Sequence, residues 1–168
     1  MTTDVPAAID PEENSEPVEA VDPEFFGSED DEEVDELPPR HHRVTAVIVT
    51  HDGARWLPAA LTALSRSTRR PDRVVAVDTG STDTTVEILG RAEKAGLIDR
   101  VVTLPRESGF GVAVAAALAT SSGVVDELAP DTVRWAWLLH DDSAPSATAL
   151  EKLLRHADRT RSADIVGP

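Results

Sequence analysis

The chain contains no cysteine, which excludes disulfide bonds and thiolate metal sites from its 168 residues. It also has no signal peptide, because no basic start followed by an apolar segment stands at its amino terminus. The longest apolar run, residues 112–119, is far shorter than the roughly 20 residues that cross a bilayer. These absences predict a soluble protein of a reducing compartment, the cytoplasm.

Three common catalytic patterns are missing as well. The sequence has no Walker pattern for a nucleoside triphosphatase and no nucleophile elbow for serine hydrolase chemistry. Gly109, Phe110 and Gly111 begin like a dinucleotide fingerprint, but Val114 stands where the third glycine belongs, and the segment does not follow a strand directly. The sequence therefore argues against all three of these classes.

The net charge of −15 is concentrated in the first part of the chain. Residues 1–39 hold fifteen of the 31 acidic residues and no lysine or arginine, so the rest carries 16 acids against 16 bases. Residues 1–42 are rich in Glu, Asp and Pro and are predicted to form a disordered acidic tail. This tail is either a solvated extension or a docking segment for a basic partner. The remainder is formally neutral, so its charge does not identify a ligand.

Beyond the tail, strand-like and helix-like segments alternate. Apolar β-branched runs predict strands, and apolar residues three and four apart predict helices. The predicted strands are residues 44–50, 73–78, 100–104, 133–139 and 164–166. The predicted helices are residues 56–67, 81–96, 109–120 and 147–157, of which 109–120 could also be a strand. This alternation predicts an α/β fold with a mostly parallel sheet flanked by helices.

Carboxylates follow three of the predicted strands. Asp52 lies just after the first strand, Asp78 ends the second, and Asp141 and Asp142 follow the fourth. In parallel sheets, ligands bind at the carboxyl ends of the strands, where the strand order reverses. Because clustered carboxylates repel each other unless a cation joins them, we expect these loops to form one ligand site.

The adjacent acids Asp141 and Asp142 indicate a divalent cation, since Mg²⁺ and Mn²⁺ prefer oxygen ligands. A plain turn is the alternative, because Asp, Ser143 and Pro145 are good turn formers. Asp78 is predicted to accept a hydrogen bond from a ribose hydroxyl or a base N–H, or else to cap the next helix.

Neighbouring residues have more local interpretations. Ser81 and Asp83 are predicted to be helix caps rather than ligands. Gly80 is expected to permit a tight turn that a substrate can approach closely. His51 and His140 are candidate metal ligands, although single histidines are more often loop or core residues.

Three segments, in this order and spacing, resemble the signature of family 2 glycosyltransferases. They are residues 44–52 (VTAVIVTHD), 75–83 (VAVDTGSTD) and 137–142 (WLLHDD). The resemblance covers residues 43–168 and implies the Rossmann-like GT-A fold, incomplete at the carboxyl end. Within the family, the sequence most resembles large actinobacterial members, which are often membrane-associated. It implies an inverting glycosyltransferase that transfers a sugar from a nucleoside-diphosphate sugar to a saccharide or lipid-linked acceptor in cell-envelope glycan synthesis.

The resemblance also implies roles for single residues. The first loop borders the nucleotide base, Asp78 holds the uracil or ribose end of the donor, and Gly109 belongs to a donor-contacting loop. Asp142 is the expected direct ligand of Mn²⁺ or Mg²⁺, and Asp141 contacts the ribose or supports the metal. The residues expected to bind the donor are Thr50, His51, Asp52, Asp78, Gly80, Gly109 and Asp141.

The chain departs from the family pattern in places. His140 stands where the metal motif often has a third acid, and Asp52 stands where the first loop commonly has Asn. The carboxylate base that an inverting transferase needs is expected beyond Pro168, together with the acceptor-binding half. We therefore expect a truncated donor-binding portion, with any membrane contact made through the missing part at the cytoplasmic face.

Two other functions stay open at this point. One is a truncated or degenerate nucleotide-binding module without transferase activity. The other is a different metal-dependent α/β enzyme, such as a sugar nucleotidyltransferase, which would need a Gly-rich basic loop after the first strand. Residues 50–55 offer only Gly53 and Arg55 for such a loop. No nucleic-acid partner is expected.

Overall fold

The structure is a computed structural model that describes residues 40–121, 132–160 and 164–167. Most of the predicted acidic tail, residues 1–39, lies outside these ranges. Within them, no helix is long and apolar enough to cross a membrane. The elements in chain order are β1 (His41–Thr50), α1 (Leu57–Ser65), β2 (Arg73–Asp78), α2 (Thr85–Lys94), β3 (Arg100–Thr103), α3 (Phe110–Ser121), β4 (Thr132–His140) and α4 (Ala149–Arg159).

The strands form one parallel sheet in the order β3-β2-β1-β4. From β1 the chain moves outward to β2 and then β3, and β4 returns to the other side of β1. The order therefore reverses between β1 and β4, which creates the crevice where α/β sheets bind ligands. The predicted α/β fold with a parallel sheet is confirmed.

Alternate residues of the central strand face opposite helical layers. Ala46 and Ile48 belong to the cluster that includes the buried side chains of α1 and α2. Val47 and Val49 face the opposite way, toward α3. Burial on both faces explains why the strand is apolar without a polar alternation, as is typical of parallel sheets.

The segment that could have been a helix or a strand forms helix α3. Ala113 and Ala117, one turn apart, are fully buried against the valines of β1 and β2. Their small side chains let the helix backbone lie close to the sheet. The start of α3 is thereby held near the carboxyl ends of the strands, where Phe110 begins the helix.

Helix α2 begins four residues later than predicted, at Thr85 rather than Ser81. The Asp83 carboxylate accepts hydrogen bonds from the backbone N–H and hydroxyl of Thr85, which closes a local turn before the helix. Val86, in the first turn of α2, is half exposed, whereas Leu89 and Ala92 are buried.

Two further sequence expectations are wrong. Residues 164–167 contain no strand, and the side chain of Ile165 is 91% exposed, so it gains no burial that could offset the entropy of ordering a strand. Strand β1 also starts three residues before Val44, because His41–Arg43 pair with the start of β4.

Acidic side chains at the amino ends of the strands accept hydrogen bonds from backbone N–H groups. The N–H of Val44 donates to Asp72 Oδ2 at 2.7 Å, and the N–H of Val74 donates to Asp99 Oδ2 at 2.7 Å. Each acid ends a loop and ties it to the neighbouring strand. These carboxylates are therefore structural.

A buried histidine joins β1, β4 and α4 at that same end. The indole N–H of Trp135 donates to His42 Nδ1 at 2.9 Å, and His42 Nε2 lies 3.0 Å from Asp158 Oδ1. Because Nδ1 accepts a hydrogen bond, the proton of the neutral ring resides on Nε2, which donates to the aspartate. The pair couples α4 to the sheet.

We expect Trp135→Phe to lower the free energy of unfolding by about 1–2 kcal/mol, because it keeps an aromatic ring but leaves His42 Nδ1 without its donor. Urea denaturation followed by far-UV circular dichroism measures the change. Val86→Ala, on the exposed side of α2, serves as the control and should change stability by less than about 0.5 kcal/mol. If the two substitutions lowered the free energy of unfolding equally, the hydrogen bond from Trp135 to His42 would not stabilise the fold as stated.

Candidate functional site

The loops that follow β1, β2 and β4 meet at the crevice where the strand order reverses. The Thr50 hydroxyl donates to Asp141 Oδ2 at 2.7 Å, and the His51 backbone N–H donates to the same oxygen at 3.2 Å. Asp141 is only 7% exposed, and its other oxygen, Oδ1, lies 3.5 Å from His140 Nδ1. One carboxylate oxygen is thus held by the first loop, while the other faces the site.

Gly53 makes this contact sterically possible. A Cβ on Gly53 would lie 2.1 Å from Asp141 Oδ2 and 2.4 Å from Thr50 Oγ1, well inside any allowed contact. Sequence analysis did not assign Gly53 to the site. The only sequence signal was its position directly after the loop of Thr50 to Asp52.

The Asp52 side chain joins the first two loops. Its backbone is left-handed, with φ of 49°, and its N–H donates to Ser81 Oγ at 2.9 Å. Asp52 Oδ1 accepts hydrogen bonds from the N–H and hydroxyl of Thr82, at 2.7 and 3.2 Å. Asp52 Oδ2 lies 3.2 Å from an Arg106 nitrogen and 3.4 Å from His51 Nε2.

These contacts stabilise the charged form of Asp52. The hydrogen bonds from Thr82, its backbone N–H first, and the nearby Arg106 and His51 lower the pKa of Asp52 below its ordinary value of 3.8. The predicted donor-binding residue therefore carries a carboxylate that other side chains already engage. Sequence analysis missed both Thr82 and Arg106, which come from loops distant in sequence.

His51 is oriented by the second loop. Its Nδ1 lies 2.7 Å from the Thr79 carbonyl oxygen, which can only accept, so Nδ1 carries the proton and donates. The Thr79 hydroxyl in turn donates to the Thr50 carbonyl at 3.2 Å. The ring is thus fixed against the end of β2, beside Asp52.

Asp78 is the most deeply buried acid of the site, with 1% exposure. Its Oδ2 accepts a hydrogen bond from the Ser81 backbone N–H at 3.2 Å. Its Oδ1 is buried and has no hydrogen-bond partner within the described part of the chain. Because an unpaired buried acceptor costs free energy, a donor group placed beside this oxygen would stabilise it.

Gly80 and Asp83 shape the same loop. Gly80 has a φ of +70°, and a Cβ there would lie 3.0 Å from the Arg106 backbone nitrogen. Gly80 was expected to permit a close approach, and the group that lies close to it is the backbone of Arg106. The Asp83 carboxylate also accepts from the Ala54 N–H at 3.1 Å, and its hydrogen bonds, led by the Thr85 hydroxyl, lower its pKa.

The third loop presents a cluster of possible metal ligands. His140, Asp141 and Asp142 each offer one ligand atom, and these atoms lie within 4.8 Å of one another. Asp142 and His140 are exposed, and the His140 ring stacks on Phe110 with centroids 5.4 Å apart and planes 6° apart. A Cβ on Gly109 would meet nothing within 4 Å, so Gly109 is near the site only as the residue before Phe110.

The donor set of this cluster suits a divalent cation. The two carboxylates offer the oxygen ligands that suit Mg²⁺ and Mn²⁺, and His140 adds an imidazole nitrogen. Asp141 has one oxygen anchored by Thr50 and the other directed to the cluster, an arrangement that orients a ligand. The residues present therefore fit the cation that the sequence resemblance implies.

Fold and site together define a parallel α/β domain with a group of acidic side chains at the carboxyl ends of its strands, beside the switch point. Residues 45–168 match the model of the family described as Glycosyl transferase family 2, so the chain belongs to this family. Among curated protein sequences, none matches the chain.

The chain is similar to several solved structures, each with low sequence identity. TarS 1-349 from S. aureus in complex with UDP-GlcNAc has a TM-score of 0.54 and 15% identity, over 71% of this chain and 32% of that one. The TarS 1-349 structure has a TM-score of 0.50 and 17% identity, over 71% and 33%. Glucosyl-3-phosphoglycerate synthase from Mycobacterium tuberculosis, with Mn²⁺, UDP and glucosyl-3-phosphoglycerate, has a TM-score of 0.49 and 21% identity, over 73% and 40%. The chain thus spans about a third of the TarS 1-349 structures, and the likeness shows a shared fold.

We expect Gly53→Ala to destabilise the protein by about 1–3 kcal/mol, since its methyl group would displace the Asp141 carboxylate from Thr50. Gly90→Ala is the matched control. Gly90 lies within α2 with nothing within 4 Å of an added Cβ, so this change should stabilise by about 0.5–1 kcal/mol through helix propensity. Urea unfolding measures both, and changes of the same sign would refute the steric account.

We expect the stability gap between the wild type and Asp52→Asn to depend on pH. The folded-state pKa of Asp52 is lowered, so its stabilising contribution is present above the ordinary value of 3.8 and is lost as pH falls through the folded-state pKa. Asn tolerates the left-handed backbone but carries no charge. Urea unfolding of both proteins between pH 7 and pH 3 should give a gap that closes at the acid end. A gap independent of pH would contradict this account.

Proposed function

We propose that the folded domain binds the nucleoside-diphosphate part of a sugar donor together with a divalent cation. The observation that carries this proposal is the unpartnered, buried Oδ1 of Asp78 at the same edge of the sheet as the His140, Asp141 and Asp142 cluster. A buried acceptor needs a donor group, and a cluster of acids needs a cation. A nucleotide with its metal ion supplies both.

Each acid has a distinct task in this proposal. Asp78 accepts a hydrogen bond from the base N–H or a ribose hydroxyl. Asp142, the most exposed of the acids after β4, holds the cation directly, and Asp141 orients it from its anchored position beside Thr50. The cation, Mn²⁺ or Mg²⁺, neutralises charge on the leaving nucleoside diphosphate when bound.

The other residues that are predicted to bind the sugar donor form the walls of the crevice. His51 and Asp52 are held by Thr79 and Thr82 and form the wall nearest the base. Gly80 keeps the chain at Arg106 close to this wall. Gly109 leads into Phe110 beside the metal ligands. Residues 43–168 thus form the donor-binding domain, and residues 1–42 form an acidic tail; β1 already begins at His41.

We propose further that this domain serves an inverting glycosyltransferase acting on a saccharide or lipid-linked acceptor in cell-envelope glycan synthesis. Membership of the glycosyltransferase family supports the reaction class, and the complexes of TarS with UDP-GlcNAc and with UDP guide the choice of nucleotide to test. We assign no acceptor base among the described residues. A nucleotide-binding module without transfer is the second candidate, and a donor site that binds but does not turn over would favour it.

Calorimetric titration with UDP, dTDP and GDP, with and without Mn²⁺, tests the donor site. We expect metal-dependent binding of one nucleotide, weakened at least about tenfold, or about 1.4 kcal/mol, by Asp142→Ala. Asp78→Asn should also weaken binding by about tenfold or more, because a hydrogen bond to a charged acceptor is worth about 1.5–3 kcal/mol.

Glu87→Ala is the control, since it removes an exposed acid from the first turn of α2. It should leave nucleotide affinity within twofold of wild type. Circular dichroism verifies that each variant is folded. No nucleotide binding by folded wild-type protein would overturn the donor site, and unchanged binding in both aspartate variants would place the nucleotide elsewhere.

A further inference from the structure

We propose that His42 is a protonation switch that changes how β4 and α4 are held at the start of β1. The neutral ring binds both the indole of Trp135 on β4 and the carboxylate of Asp158 on α4. When the ring gains a proton, it releases the indole and keeps the carboxylate. This end of the sheet is opposite the edge that carries the candidate ligand site, so the switch requires neither a nucleotide nor a cation.

The observed contacts fit only the neutral form of the His42 ring. The Trp135 indole N–H lies 2.9 Å from His42 Nδ1, and an indole N–H can only donate. Nδ1 must therefore offer its lone pair, and the proton of the ring resides on Nε2, 3.0 Å from Asp158 Oδ1. The His42 side chain is only 8% exposed, so both contacts are made by protein groups in place of water.

A second proton can bind only at Nδ1, the nitrogen that accepts from Trp135. The protonated ring would then point an N–H at the indole N–H across 2.9 Å, and two donors cannot share a hydrogen bond. The indole must consequently move away from His42. Trp135 is partly exposed, so its N–H can donate to water after this movement.

The same proton strengthens the contact between His42 and α4. Asp158 faces Nε2 with a negative charge, and a hydrogen bond between two ionised groups is stronger than one with a neutral donor. Two basic residues lie close to Asp158 in the same helix, Arg155 and Arg159. Both are exposed, and Arg155 is already paired with Glu151 at 2.8 Å. Protonation therefore replaces a shared hold on β4 and α4 by a firmer hold on α4 alone.

The remaining charged groups around His42 contact its backbone or lie across the sheet. The Arg69 guanidinium donates to the His42 carbonyl oxygen at 3.2 Å and to Asp72 Oδ2 at 2.9 Å, so its charge is paired. His41 and Arg43 flank His42 in β1 and point to the opposite face, because side chains alternate along a strand. Within the part of the chain that the structure describes, the ring contacts that respond to the proton are thus those with β4 and α4.

The other end of α4 is fastened independently of His42. The Thr68 N–H donates to the Ala147 carbonyl oxygen at 2.8 Å, and the Thr68 hydroxyl donates to Glu151 at 2.8 Å. Leu150 and Leu154 are buried against Val44 between the two ends. The switch therefore acts on the carboxyl end of α4 and on the start of β4, and it leaves the loop between β4 and α4 in place.

Nuclear magnetic resonance of the full chain between pH 8 and pH 5 tests the switch, since an ordinary histidine changes its charge in this range. The reporter is the indole N–H signal of Trp135, assigned by its loss in Trp135→Phe. At pH 8 we expect the signal of a hydrogen-bonded indole. At pH 5 it should lie near the signal of Trp56, whose side chain is 48% exposed, and its midpoint should equal that of the His42 imidazole signals.

His42→Gln should abolish the transition of the Trp135 signal. Its amide oxygen can accept from the indole and its amide N–H can donate to Asp158, but it gains no proton in this range. Asp158→Asn should move the transition to lower pH by about one unit, because the charged ring loses its anionic partner. His41→Gln is the control, since it removes an exposed histidine from the other face of β1 and should leave the transition unchanged. Circular dichroism verifies that each variant is folded at pH 5.

A Trp135 signal that stays constant while His42 becomes protonated would overturn the switch. So would a His42 ring that stays neutral at pH 5 in folded wild type, or an unchanged midpoint in Asp158→Asn. The same transition in folded His42→Gln would assign it to another group. The wild-type and Asp158→Asn measurements decide the matter even if His42→Gln does not fold. Nucleotide binding at pH 8 is measured separately, so the proposed function stands or fails independently of these results.

Discussion

The hydrogen bond from the Thr50 hydroxyl to the Asp141 carboxylate holds the site together. It joins the end of β1 to the loop after β4 at a distance of 2.7 Å. These two neighbouring strands are the place in the described sheet where the strand order reverses. The bond needs the bare Cα of Gly53 beside it, since any side chain there would occupy the position of the carboxylate. Oδ2 is engaged in this way, and the other oxygen, Oδ1, lies 3.5 Å from His140 Nδ1 in the cluster proposed to hold a cation.

The distribution of acids along the strands separates structural from functional carboxylates. Asp72 and Asp99, at the amino ends, are satisfied by backbone N–H groups. At the carboxyl ends, Asp52 is satisfied by Thr82 and Arg106, whereas Asp78 keeps one buried oxygen without a partner in the described residues. The described side chains thus leave part of the electrostatic cost of this edge unbalanced, and this imbalance supports the proposal of a ligand that brings donor groups and a cation.

Much of the fold could be predicted because its physical cause is local. The period of the apolar residues indicated all four strands and three of the helices, with the segment of α3 left open between helix and strand. The parallel α/β sheet followed from their alternation. The errors lie where tertiary contacts outweigh local preference. Helix α2 starts at Thr85 because the Asp83 turn precedes it, and residues 164–167 form no strand, since Ile165 has nothing to pack against.

The sequence alone determined the family and the candidate residues, because residue type and position after a strand are written in it. Asp78, Asp141 and Asp142 lie at strand ends, within a family signature. Only the tertiary structure decided how these groups are used. Partners such as Thr50 and Asp141 are distant in the chain, so their contact depends on the strand order. The engagement of Asp52 by Arg106 and the stacking of Phe110 on His140 have the same origin, since side chains from separate loops meet only after the sheet has formed.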